Sequence, residues 1–195
     1  TCVNVGCVPK KLFVYASHFK DDFAAAAGFG WSVETPSFDW QRLLARKNRE
    51  IGRLQNVYQG LLDNSGVNVI TGQARLLDQQ TVAVGEQFSA ERILVATGGR
   101  PWLPDIPGKQ FISTSDDMFA LQQLPERILI IGGGYIAVEF AGIMHGLGVH
   151  TILSYRGDKL LRGFDRDVRE FVAQEMVKKG IDIRFDSDVT RIEAT

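Results

Sequence analysis

Two cysteines, Cys2 and Cys7, stand five positions apart in Thr1-Cys2-Val3-Asn4-Val5-Gly6-Cys7-Val8-Pro9-Lys10-Lys11, and the 195-residue chain has no others. Such a pair serves three chemistries: a structural disulfide, half of a metal site, or a redox dithiol. A metal site needs further ligands, and the three histidines, His18, His145 and His150, form no spaced cluster. A disulfide closing so short a loop removes little freedom from the unfolded chain, so stability is a weak reason for one. The dithiol reading draws on the residues after Cys7. Apolar residues at Leu12, Phe13, Tyr15, Ala16 and Phe19 predict a helix over 10–23. Pro9 suits a first helical turn, where its missing N–H has no partner to lose. Cys7 then lies at or near a helix N-terminus, where backbone N–H groups and the dipole favour a thiolate. The expectation is a redox-active dithiol with Cys7 as the more thiolate-like partner.

A second chemical signal lies at Gly132-Gly133-Gly134-Tyr135-Ile136-Ala137-Val138-Glu139. It reads G-x-G-x-x-A after an apolar strand over 127–131 and before a helix reaching about Leu147, with Gly148 ending the helix and a second strand over 149–155. That setting is what a dinucleotide fingerprint requires. Gly132 and Gly134 permit the tight turn and the close approach of a pyrophosphate, which rests on the helix N-terminus at Tyr135 and Ile136. An NAD-specific domain ends its second strand in Asp or Glu to hold the ribose 2′-OH. This chain has Arg156 there and Arg162 six positions on, and guanidinium groups match a 2′-phosphate in charge and shape. The expected nucleotide is NADPH.

The remaining elements position these two sites. Ser37 or Asp39 caps a long amphipathic helix over 40–63, ended by Gly66, in which Tyr58 falls at a core or half-buried position. Short strands are expected at 67–70, 74–77 and 81–84, with a turn at Gly85-Glu86. The apolar run 92–95 ahead of Ala96-Thr97-Gly98-Gly99 reads as a buried parallel strand whose terminal glycines let backbone approach a ligand. Pro101, Pro104, Pro107 and Gly108 mark a stiff linker between domains at 1–107 and 108–195. Asp165 caps a helix over 166–179 closed by Gly180, with further strands at 181–185 and 189–193.

A hydrophobic content of 45% is enough for a substantial core, and a net charge of -1 gives no electrostatic case for nucleic acid or an anionic membrane. The longest apolar stretch, 128–144, is broken by glycines and Glu139, so no transmembrane helix is expected. No signal peptide is visible, and the expected compartment is the cytoplasm. The chain opens on the cysteine motif without an initiator Met, which reads as an internal piece of a longer protein.

TCVNVGCVPKK resembles the redox-disulfide signature of the pyridine nucleotide–disulfide oxidoreductases, and the likeness extends along the chain. ILVATGG resembles the family's flavin-contacting ATG segment. RLQNVYQ resembles its disulfide-substrate helix, with Glu50 standing where members often have a further tyrosine. YRGDKLLRGFD matches the NADPH-using branch at both arginines. The resemblance implies an α/β fold with two Rossmann-like domains for FAD and NAD(P), both incomplete here. It implies an electron relay from NADPH through FAD and the Cys2–Cys7 disulfide to glutathione disulfide. In that relay Cys7 faces the flavin and Cys2 is the interchange thiol. Thr1, Ala96, Thr97 and Gly98 become flavin contacts, Lys10 and Glu139 an ion pair beside the flavin, Tyr135 the cover of the nicotinamide pocket, and Tyr58 a substrate contact. The resemblance also implies a homodimer. The FAD fingerprint, an acid/base His–Glu pair and the dimer domain are expected outside residues 1–195, so this piece alone is expected not to reduce glutathione disulfide. The alternative acceptor is trypanothione disulfide, disfavoured because GIMHGLGVHTILSYR carries no insertion. The rival from another class is a non-catalytic redox sensor.

Overall fold

The computed structural model describes residues 1–34 and 36–194. They fall into two compact units, one made of Thr1–Ile51 with Pro101–Thr195 and the other of Gly52–Arg100.

The first unit opens with a single helical turn, α1 (Cys2–Val5), and a longer helix, α2 (Cys7–Ala26). A third helix, α3 (Trp40–Asn64), begins here, with Asp39 Oδ1 accepting from Arg42 N, and runs on into the second unit. The second unit continues with β1 (Arg75–Leu76), β2 (Thr81–Val84) and β3 (Glu86–Ser89), an antiparallel sheet in the order β1-β2-β3. The β2–β3 turn is tight: Val84 pairs with Glu86 across Gly85, whose φ of 72° favours glycine. Gly72 is required by a close approach, since a Cβ there would lie 2.5 Å from Val84 Cγ1.

Two strand expectations fail in this unit. Residues 67–70 and 92–97 form no strand, and Leu94 is 89% exposed. A strand buried on both faces exists only where other strands and covering helices flank it. Among the described residues no strand pairs with 92–97, so Leu94 and Val95 remain open to solvent while Ile93 is half-buried.

Back in the first unit, a short helix α4 (Ser115–Met118) carries a capping box: Thr114 N donates to Asp117 Oδ2, while the Thr114 side chain takes the reciprocal bond. Then come β4 (Arg127–Ile131), α5 (Tyr135–Gly146), β5 (His150–Ser154), α6 (Arg166–Lys178) and β6 (Asp182–Arg184). β4, β5 and β6 are parallel neighbours in that order, with Leu129 opposite Ile152 and Ile152 opposite Asp182. This is the Rossmann-like βαβαβ arrangement anticipated from the glycine motif, and the strand at 127–131 agrees residue for residue. Gly148 and Gly180 end the two helices at φ 93° and 102°. Asp165 Oδ1 caps α6 by accepting from Asp167 N and Val168 N. Residues 189–193 form no strand; Ile192 N donates to Pro107 O instead.

Two apolar clusters hold this unit. One packs Ala141, Leu153, Leu160, Met176 and Ile181 between sheet and helices. The other joins Phe13 of α2 and Trp40 and Leu44 of α3 to Phe119, Phe140 and Met144. Phe13 is fully buried, with ring centroids 5.0 Å from Trp40 and 6.0 Å from Phe119. Polar groups in this cluster are satisfied: Trp40 Nε1 donates to Leu121 O at 2.7 Å, and Lys47 Nζ to Phe119 O at 2.7 Å. The cysteine helix is therefore anchored to the dinucleotide helix α5 through a shared core.

Candidate functional site

Cys2 and Cys7 each open a helix, α1 and α2, and the residue between the helices is Gly6. A Cβ on Gly6 would lie 3.0 Å from Thr1 O and 3.1 Å from Cys2 Cα, so a side chain there would crowd the backbone of the preceding turn. Val5 N donates to Thr1 O and Lys10 N to Gly6 O, which closes both first turns. The result brings two exposed free thiols together, with the Cys7 thiol hydrogen-bonded to Cys2.

That contact corrects one expectation. The thiol pKa of Cys7 is raised from its ordinary value, first by the hydrogen bond to Cys2, then by desolvation and by the charge of Cys2. Its own helix N–H and Lys10 pull the other way and lose. The helix-terminus argument omitted the neighbouring sulfur.

One turn after Cys7, Lys10 Nζ meets Glu139 Oε1 at 2.7 Å. The pair joins the first turn of α2 to α5 across 129 positions of sequence. Beside this pair α2 and α5 border a cavity of about 400 Å³ lined by Lys10, Ser17, His18, Glu139 and His145. At the far end of α2, Lys179 pairs with Asp21 at 2.9 Å.

The glycine motif forms the tight βα turn expected of it. Gly132 has φ 142°, and a Cβ there would reach Ala137 Cβ at 3.4 Å, so the small third residue of the motif matters too. Gly134 is the N-cap of α5 and offers no side chain to the first-turn N–H groups. Those donors stay available to a phosphate, and the cradle fits a dinucleotide. Tyr135 and Ile136, in the first turn, are both exposed. Arg156, just past the end of β5, and Arg162, farther along the loop to α6, are exposed, and among the described residues neither is held by a carboxylate.

The other predicted residues are dispersed. Thr1 is exposed beside the cysteines. Tyr58, 54% exposed rather than core or half-buried, belongs to the second unit, because the C-terminal turns of α3 have little packed against them. Ala96, Thr97 and Gly98 are exposed there as well, with Gly98 at φ 75°. Sequence reasoning passed over Tyr155 and Leu161. A Cβ on Gly133 would lie 2.6 Å from the Tyr155 ring, and Leu161 N donates to Gly133 O at 2.6 Å. The only hint in the sequence was an aromatic residue at a strand end before Arg156. Among the described residues no helix is long and apolar enough to cross a membrane.

Known proteins carry the same pattern. The family described as pyridine nucleotide-disulphide oxidoreductase matches residues 1–195. The chain is 49% identical over 194 residues to a glutathione reductase of Burkholderia cepacia, covering 99% of this chain and 43% of that protein. It is 39% identical over 208 residues to the trypanothione reductase of Leishmania donovani, covering 98% and 42%. Among solved structures, the Cu(II) complex of the HOCl-induced flavoprotein disulfide reductase RclA from Escherichia coli matches with a TM-score of 0.83 at 29% identity, covering all of this chain and 42% of that one. The chain spans less than half the length of the curated relatives it matches.

Proposed function

Because this chain belongs to the pyridine nucleotide-disulphide oxidoreductase family, we propose that the whole protein is an NADPH-dependent reductase of glutathione disulfide. The observation that carries the reading is the Lys10–Glu139 pair, which ties the dithiol helix to the dinucleotide helix at 2.7 Å. The pair supports the reading because a relay needs its dithiol helix and its dinucleotide helix held together.

Within the proposal, residues 1–107 belong to an FAD-binding domain and 108–195 to an NADPH-binding domain. Gly132, Gly134, Tyr135 and Ile136 receive the pyrophosphate and nicotinamide side of NADPH, and Arg156 and Arg162 its 2′-phosphate. Thr1, Lys10, Ala96, Thr97, Gly98 and Glu139 contact FAD, and Tyr58 contacts the substrate. When bound, the flavin supplies a two-electron relay between nicotinamide and disulfide. The chain's own sulfurs do the rest. Cys2 as thiolate attacks one sulfur of glutathione disulfide; a mixed disulfide forms and one glutathione thiolate leaves. Cys7 then attacks Cys2 Sγ, its proton passing to the departing second glutathione sulfur, and the Cys2–Cys7 disulfide closes. The raised pKa of the Cys7 thiol, set first by its neighbour Cys2, supports this division, because it leaves Cys7 the less ready of the two to attack first. Lys10, beside both, steadies charge at that end of α2. The working protein is a homodimer in the cytoplasm, with no nucleic-acid or membrane partner.

A second reading, trypanothione disulfide as acceptor, rests on the Leishmania relative at 39% identity, below the 49% of the Burkholderia glutathione reductase. The deciding experiment follows NADPH consumption by the full-length protein with glutathione disulfide as sole oxidant. Consumption lost on changing to NADH, or on Cys2→Ser with flavin and NADPH binding intact, supports the proposal. No consumption with glutathione disulfide, but turnover with trypanothione disulfide, replaces the acceptor. Unchanged turnover in Cys2→Ser removes the dithiol from the reaction.

A further inference from the structure

Arg156 and Arg162 are chain neighbours of two residues, Tyr155 and Leu161, that both touch Gly133 in the middle of the G-x-G turn. We infer that Tyr155 and Leu161 are positioning residues that clasp the arginine loop to the dinucleotide turn and thereby set discrimination for the 2′-phosphate. The inference rests on the NADPH reading above.

The clasp has three parts. The Tyr155 ring spans two glycines: a Cβ on Gly133 would lie 2.6 Å from its Cγ, and a Cβ on Gly157 would lie 2.7 Å from its Cε1. Any side chain at either position would displace the ring. Leu161 N donates to Gly133 O at 2.6 Å, and Leu161 holds φ 55° although it is buried and not a glycine. A branched side chain in that region is strained, and such strain persists only where the surroundings impose it. The surroundings here are identifiable. Arg169 Nε donates to Leu160 O at 2.6 Å and Arg169 Nη2 to Lys159 O at 2.9 Å, fastening the segment to α6. On the other side Tyr155 N donates to Arg184 O and Ser187 N to Tyr155 O.

Both ends of the 156–162 loop are thus fixed to the same glycine, while the two guanidinium groups themselves remain exposed. A loop held only by solvent-exposed contacts would lose binding energy in ordering two long side chains around a phosphate. Fixing the backbone on each side of the arginines lowers that cost for a ligand that carries a 2′-phosphate and leaves a ligand without one unaffected.

The test uses the full-length protein and calorimetric titration with adenosine 2′,5′-bisphosphate and with 5′-AMP, which differ only in the 2′-phosphate. Wild type is expected to prefer the bisphosphate. In Tyr155→Ala the preference should fall about tenfold, the scale of one charge-assisted contact, with 5′-AMP affinity nearly unchanged. Tyr155→Phe should keep the preference, because the ring and not the hydroxyl fills the space beside Gly133. Tyr155→Leu, which retains bulk at the strand end, carries the test if the alanine variant does not fold, and the same direction is expected. An unchanged preference in the alanine or leucine variant overturns the clasp, as does equal weakening of both ligands. Loss in Tyr155→Phe as large as in Tyr155→Ala overturns it too. No preference in wild type removes the NADPH reading and the clasp together, which separates that failure from failure of the clasp alone.

Discussion

Phe13→Ala tests what holds the cysteine helix in place. Burial of Phe13 among Trp40, Phe119, Phe140 and Met144 and the Lys10–Glu139 ion pair both tie α2 to α5. Their magnitudes differ widely. The Phe13 ring is 0% exposed, and truncating a fully buried phenylalanine costs about 3–5 kcal/mol in lost transfer energy and residual cavity. The side chains of the ion pair are 24% and 37% exposed, and solvent screening leaves such a pair roughly 0.2–1 kcal/mol. Hydrophobic anchorage should therefore dominate. For a chain of this size the alanine variant should melt about 6–20 °C lower, and Glu139→Gln only about 0.4–4 °C lower. Trp40 provides the signal, since it is 7% exposed and its ring centroid lies 5.0 Å from Phe13, whereas Trp31 and Trp102 are solvent-exposed. Thermal unfolding followed by the blue-shifted tryptophan emission reads both variants. Phe19→Ala, on the exposed side of the same helix, is the control and should change little. If Glu139→Gln lowered the midpoint as much as Phe13→Ala, the ranking of burial over ion pairing would be refuted.

Three further outcomes concern charge. Cys2→Ala removes the hydrogen bond and the repulsion that raise the Cys7 pKa, so thiolate absorbance near 240 nm should rise at lower pH than when Cys7 is titrated beside Cys2; an unchanged or higher midpoint would refute the assigned cause. Glu170, held at about 2 by Lys159 and Arg166, is depressed from 4.5, so its contribution is present above pH 4.5 and lost as pH falls through about 2. Wild type should accordingly lose its stability advantage over Glu170→Gln across that acid window in denaturant titrations. Burial lowers the pKa of Lys47, so the unfolded chain binds more protons just below pH 10.5 and stability should rise with pH there; Lys47→Met should lack that slope.

The sequence was most legible where local signals and neighbours coincide. β4, the glycine turn, α5, β5 and the Asp165 cap carry their own start and stop residues and find their partners within about sixty positions, so the pattern at 127–184 reads directly as βαβαβ. The run 92–95 has an equally apolar pattern, yet a parallel strand depends on neighbours that periodicity does not record. Tyr58 shows the same limit, because helical period marks a face without saying what covers it. Among the site residues, the Lys10–Glu139 pairing came from family likeness alone, as no local rule links positions 129 apart. The Cys7 shift was misjudged because the helix terminus is visible in sequence and the distance between two sulfurs is not. Tyr155 and Leu161 left almost no trace, since strain and close approach to glycine are properties of folded backbone.

The long reach of the Phe13 cluster has a consequence for how the protein is made. Lys10 waits for Glu139, and Phe13 for Phe119 and Phe140, while the ribosome adds more than a hundred residues. At about 5–20 residues per second, the interval before Glu139 is added is roughly 6–26 s. For that time α2 has its apolar stripe uncovered, before its partner helix α5 exists. Capture by a chaperone during synthesis would act on this helix in particular, because it is made long before its core is complete.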